Sequence, residues 1–215
     1  MGDLYFELRY QVKQSEDYYQ LALEIYKEIG SRLGEANCLQ GIGDVLRFLA
    51  RNAEALNHYN QAISLYCNVG SRLGEANCLK AIGDVLRFLK RNEEALNHYN
   101  QAISLFRNVG DRIGEANIVQ DLGKLQDDPV QKLEYLQQAQ NLYIQIGDIY
   151  SQSRNLLYFL ADVYLTMGQR DTAINALKDG AKLAAANNLV FFVEYAQDKL
   201  GKLNGNEELG EGSSN

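Results

Sequence analysis

Gly30-Ser31-Arg32-Leu33-Gly34-Glu35-Ala36-Asn37-Cys38-Leu39 recurs without change as Gly70-Ser71-Arg72-Leu73-Gly74-Glu75-Ala76-Asn77-Cys78-Leu79. The likeness runs well past this stretch: between 30–69 and 70–109, 34 of 40 positions are identical. A third copy opens at Gly110-Asp111-Arg112-Ile113-Gly114-Glu115-Ala116-Asn117, and a blurred fourth opens at Gly147-Asp148. A fixed period in this range means a stacked array, in which each unit buries its apolar face only against its neighbours. The period predicts one elongated, continuous core and a surface that holds another molecule.

Residues 71–110 show how one unit is built. Leu79, Ile82 and Leu86 fall at i, i+3 and i+7 on one face of an α-helix, with Gly83 beside them where a second helix comes close. Asn92 reads as the N-cap of a second helix, with Glu93 and Glu94 in its first turn. Ala95, Tyr99, Ala102 and Phe106 give that helix a stripe of alternating small and large residues. Gly110 ends it as a left-handed cap, and Ser71 or Asp111 caps the helix that follows. Each unit is therefore helix, short turn, helix, glycine stop.

Composition agrees with an all-α chain. There is one Pro and no Trp in 215 residues, and no apolar run approaches the ~20 residues that span a bilayer. The N-terminus lacks the basic and then apolar segments of a secretion signal. A net charge of −7 works against general nucleic-acid binding, which needs clustered Lys and Arg. Cys38 and Cys78 sit one repeat apart, too far for the ~7 Å limit of a disulfide, and with Cys67 they read as reduced packing thiols of a cytoplasmic protein.

The order Leu79, Ile82-Gly83, Leu86, Ala95, Tyr99, Ala102, repeated as Leu39, Ile42-Gly43, Leu46, Ala55, Tyr59, Ala62, resembles the tetratricopeptide repeat. The usual unit of that family is about 34 residues and ends in Pro. The longer period and the Gly-Asp-Arg or Gly-Ser-Arg junction here are similar to its extended subclass. That subclass includes kinesin light chains, Pins-type adaptors and bacterial signalling proteins. The resemblance covers about residues 15–187 and implies a right-handed α-α superhelix whose first helices line a concave groove. It also implies a non-enzymatic scaffold that binds a peptide or helical segment in that groove.

The expected organisation is one solenoid over 1–203. It comprises a truncated unit at 3–30, units at 31–70, 71–110, 111–147 and 148–187, and a closing helix at 189–203, with a disordered tail at 204–215. In the truncated unit the first helix would span only 3–12 and the second 15–29. Pro129 suits the first position of a helix, with Asp128 before it. The last full unit carries Ala161 where the signature has Gly.

On each first helix a polar stripe lies roughly 150° from the core stripe. It reads Asn37, Gln40, Asp44 and Arg47; then Asn77, Lys80, Asp84 and Arg87; then Asn117, Gln120 and Lys124; then Asn155, Tyr158 and Asp162. A carboxamide is both donor and acceptor, so the column Asn37, Asn77, Asn117, Asn155 suits the main chain of an extended peptide. Duplication alone, or a structural bond between units, explains the same column equally well. The cations could clamp a carboxylate, or pair with the aspartates one turn away as a solvated ladder.

His58 and His98 have no companion ligands at metal spacing. No catalytic constellation can be assembled, and Gly34, Gly74 and Gly114 follow helices rather than strands, so they read as packing residues instead of a nucleotide loop. No cofactor, nucleic-acid or membrane partner is expected. The alternative function is a structural or oligomerising spacer from a larger signalling protein, self-associating through its aromatic N-terminal end.

Overall fold

The computed structural model describes the backbone of residues 2–210 and the side chains of residues 12–203. The described residues are helical throughout, joined by short turns: α1 (Gly2–Glu28), α2 (Arg32–Phe48), α3 (Asn52–Val69), α4 (Arg72–Phe88), α5 (Asn92–Val109), α6 (Arg112–Lys124) and α7 (Pro129–Ile146). Then come α8 (Ile149–Arg154), a π-helical turn (Asn155–Leu160), α9 (Ala161–Thr166), α10 (Arg170–Ala186) and α11 (Val190–Gly210). The fold is all-α, a succession of helical hairpins of the solenoid type. It divides into two compact units, Met1–Ile118 and Val119–Asn215, with the boundary inside α6.

In the first unit one packing rule recurs. Gly43 lies under the ring of Tyr59 and Gly83 under that of Tyr99, each on the second helix of its own hairpin. Gly34, Gly74 and Gly114 lie under Tyr26, Tyr66 and Phe106 of the preceding hairpin. A missing side chain thus admits an aromatic ring on both sides of each first helix. Tyr59 and Tyr99 are fully buried as a result, and burial on this scale is worth about 1.5–3 kcal/mol per large side chain.

Helix ends follow local chemistry. Gly70 and Gly110 adopt the left-handed cap, with φ of 72° and 76°. The Asp111 carboxylate accepts from the Gly114 amide at 2.9 Å, whereas Ser71 makes no side-chain cap. Asn92 is not an N-cap: α5 starts at Asn92, and Arg91 precedes it. Only three residues, Leu89 to Arg91, separate the two helices, and Arg91 is clamped to Glu94 at 2.6 Å, which sets the entry without a carboxamide. The two short helices expected at 3–12 and 15–29 are one helix, α1, because Val12-Lys13-Gln14-Ser15 has no Gly or Pro to stop it.

In the second unit, Asp128 caps α7 by accepting from the Val130 and Gln131 amides, with Pro129 at the first position. Gly147 ends α7 at φ 78°, and Asp148 caps α8 through the Ser151 amide at 3.0 Å. Ala161 replaces the signature glycine because the facing residue is Leu177, smaller than the tyrosine it meets elsewhere; both are buried. α11 continues to Gly210 and so passes the point at Asn204 where polarity suggested an end to order. Glu207, Glu208 and Leu209 favour helix, and extending a helix costs far less than nucleating one. Residues 211–215 lie outside the described residues. No described helix is long and apolar enough to cross a membrane.

Candidate functional site

In the first unit, α2 and α4 lie side by side and carry the first two rows of the polar stripe. The rows are nearly identical in sequence, yet differ in how their side chains are held. In the α2 row the Tyr66 hydroxyl sits 2.8 Å from both Asn37 Oδ1 and Gln40 Oε1. Asp44 Oδ1 accepts from the Tyr59 hydroxyl at 2.8 Å, and Arg47 stands 3.9 Å from the same oxygen. Burial pushes the phenols of Tyr59 and Tyr66 well above their ordinary pKa, so both remain neutral donors.

In the α4 row Asp84 accepts from the Tyr99 hydroxyl at 2.7 Å and from Lys80 at 2.8 Å, while Arg87 Nε reaches the Tyr99 oxygen at 3.4 Å. The cations and aspartates of the stripe therefore pair with one another here. Phe106 stands where the first copy has Tyr66 and offers no hydroxyl. Asn77 is partly exposed and makes no hydrogen bond among the described residues, whereas Asn37 is tied back. Asn117, half-buried, is already engaged.

The second unit corrects the rest of the stripe. Asn155 is fully buried: its Nδ2 donates to Leu136 O and Gln140 Oε1, both at 2.9 Å, and its Oδ1 accepts from Gln120 Nε2 at 3.0 Å. Gln120, 1% exposed, belongs to the same internal network. Neither residue presents a surface to a ligand. The cause is the π-helical turn. Asp148 caps α8 as Ser31 caps α2, an offset of 117 residues, while the core residues Leu157 and Leu160 follow Leu39 and Ile42 at 118. The turn absorbs the extra residue, so Arg154 takes the position of Asn37 and Asn155 that of the buried Cys38.

Tyr158 packs at 4.1 Å between centroids on Tyr195 and at 5.9 Å on Phe192. Lys124 pairs with Asp121 at 2.9 Å and lies over the Phe159 ring, and Asp162 is exposed. Counting back from the core residues alone missed Arg154; the second, conflicting offset from the cap was the signal that finds it.

The remaining candidates are structural. Cys38 and Cys78 are buried free thiols, the latter pushed up to about 12 by desolvation and so unreactive, while Cys67 is exposed rather than packed. His58 and His98 each bury an Nδ1 with no partner. Among the described residues no group of three or more His, Cys, Asp or Glu is placed to hold a metal ion.

Two family models, both described as tetratricopeptide repeat, match residues 1–68 and residues 78–109 and 155–187. No curated protein matches the sequence. Among solved structures, aspartyl phosphate phosphatase F from Bacillus subtilis superposes with a TM-score of 0.81 at 14% identity, covering 94% of this chain and 56% of that one. The Rap conjugation gene regulator of the plasmid pLS20, in complex with the Phr* peptide, gives 0.72 at 19%, covering 91% and 55%. BtubC (BKLC) from P. vanneervenii gives 0.71 at 17%, covering 83% and 75%. The chain thus spans a little over half the length of the first two. The packing signature, the hairpin succession and the two family models agree: this chain belongs to the tetratricopeptide-repeat family.

Proposed function

We propose that the chain is a non-enzymatic protein-interaction scaffold that takes a peptide or helical segment on the face formed by α2 and α4. The carrying observation is Asn77, a partly exposed carboxamide left without an internal partner because Phe106 replaces the tyrosine that restrains Asn37. A free carboxamide can donate to a peptide carbonyl and accept from its amide together. The Phr* peptide bound by the pLS20 regulator, a protein of similar fold, supports the reading.

Selection of a displayed random 12-residue peptide library on the pure chain, followed by fluorescence polarisation with an enriched peptide, supplies the test. Asn77→Ala should weaken binding about tenfold and Asn37→Ala much less, as expected for one charge-neutral bonding group worth ~1.4 kcal/mol. Equal effects, or none, would remove Asn77 from the site; failure to enrich any peptide would overturn the scaffold reading.

Self-association through the N-terminal helix is a second reading with its own observation. Tyr18, Leu21 and Ile25 line one exposed side of α1, and exposed Ile29 follows in the turn. Tyr19 is 40% exposed, whereas its repeat equivalents Tyr59 and Tyr99 are fully buried. A chain that stays at 24.2 kDa by light scattering at 100 µM would dispose of it.

A further inference from the structure

One glutamate recurs at the same register position in three copies, and its neighbours differ. In the third copy Glu115 is held from two sides: Arg107 Nε donates to Oε1 at 2.8 Å, and Arg112 Nε stands 3.8 Å from Oε2. Glu75, forty residues earlier, has the counterpart of the second contact, with Arg72 Nη1 2.9 Å from Oε2. Where Arg107 would stand, the chain has Cys67. Desolvation and the adjacent Glu75 carboxylate push that thiol above its ordinary pKa, so the position carries no charge, and a thiol is a weak donor. In the first copy the same position is Lys27, which lines one pocket with Glu35. Of these three copies, the second is the one without a cation there.

The space beside Glu75 is open. Glu75, Leu79, Asn100, Gln101, Ser104 and Leu105 line a cavity of about 420 Å³ between α4 and α5. That lies within the roughly 300–1,000 Å³ usual for ligand sites, whereas the counterpart around Lys27 and Glu35, at about 270 Å³, falls below it. The Glu75 side chain is 16% exposed, so its carboxylate is reachable yet partly desolvated, where a charge pair gains strength. Gln101 is exposed and makes no hydrogen bond among the described residues, while its equivalent Gln61 donates to Asn57 at 3.3 Å.

We infer that this cavity takes the arginine side chain of a partner polypeptide, its guanidinium on Glu75 and Gln101 Oε1 and its methylene stem along Leu79 and Leu105. The Arg107–Glu115 pair is the precedent within the molecule: a carboxylate at this register accepts a guanidinium while a second arginine stays close by. The planar fork of a guanidinium suits two acceptors, and its stem gains from an apolar wall. A net charge of −7 favours the approach of a basic partner. Glu75 and Leu79 lie one turn apart and face away from Asn77, because two residues turn a helix through about 200°. The cavity is therefore separate from the face proposed above, and either can fail without the other.

Carbon-detected NMR of the Glu75 carboxyl tests this on the full chain, titrated with N-acetylarginine amide and with its citrulline analogue, which has the same shape and no charge. Glu75→Gln identifies the resonance by its disappearance. The arginine probe should shift that signal saturably, and the citrulline probe should bind at least tenfold more weakly. Cys67→Arg supplies the side chain that the third copy already has and should abolish the response, while Cys67→Ser should keep it. No shift up to about 50 mM arginine probe, equal shifts from both probes, or an undiminished response in Cys67→Arg would each overturn the site. A shift produced by concentrating the chain alone would give the cavity to an arginine of a second copy and overturn the foreign partner. The paired wild-type titrations decide the matter even if Cys67→Arg fails to fold.

Discussion

Ala50 and Lys90 end α2 and α4 in the left-handed conformation, with φ of 58° and 59°, and pay for it in strain that Gly168, at φ 74° in the corresponding turn, avoids. Lys90→Gly should therefore stabilise the chain by about 0.5–1 kcal/mol once the greater freedom of the unfolded glycine is subtracted, readable by urea denaturation. Gly83 works in the opposite sense. A Cβ there would come 2.5 Å from the Tyr99 ring, which is buried and anchored through its hydroxyl to Asp84. Gly83→Ala should cost about 1–3 kcal/mol, and an unchanged denaturation midpoint would show that the ring yields freely. Asn155→Ala strands the Gln120 amide, the Leu136 carbonyl and Gln140 together; a loss of about 3 kcal/mol or more is expected in the same measurement.

At the level of the helix, α3 and α5 carry the only histidines. Burial holds the imidazoles of His58 and His98 below the ordinary value near 6.5, against the opposing pull of Glu54 and Glu16 on the first and Glu94 on the second. A group whose folded pKa is depressed releases its proton more readily when folded, so the unfolded chain gains protons first as pH falls. The contribution to stability is whole above about 6.5 and declines below it. Thermal melts at pH 7.5 and 5.5 should differ less in a His58→Gln, His98→Gln chain than in the wild type. Glu54 and Glu94, held below the usual carboxylate range by Arg51 and Arg91, act in a lower window, under about 4.5.

Helix identity and close packing at the glycines were legible because Leu, Gly, Tyr and Ala recur at fixed spacing, and period-3.6 patterning reports directly on burial; that an aromatic ring fills each gap was not. The π-helical turn was not. One extra residue within a helix leaves both flanking patterns intact and shifts only the phase between them, so Asn155 looked like a surface residue until its bonds were seen. Nor does a sequence show which of two equal carboxamides has a phenol above it. Asn37 and Asn77 are told apart only by what Tyr66 and Phe106 reach across helices to touch.

Across the whole molecule the two duplicated hairpins make equivalent joints. Tyr66 over Gly74 and Phe106 over Gly114 are the same contact made one repeat apart. Removing Gly70 to Val109 would join Val69 to Gly110, place Tyr66 over Gly114 and restore a junction the chain already contains. The shortened protein should fold cooperatively with the helical content of the remaining segments and a lower melting temperature, as nearest-neighbour stacking requires; a loss of cooperativity by circular dichroism would refute the equivalence. Interchangeable joints also bear on inheritance. A recombination event between the two copies alters the number of hairpins in whole steps of forty residues without creating a mispacked seam. The array can thus change its reach for a partner in one generation, while the six positions at which the copies differ supply the variation on which recognition can diverge.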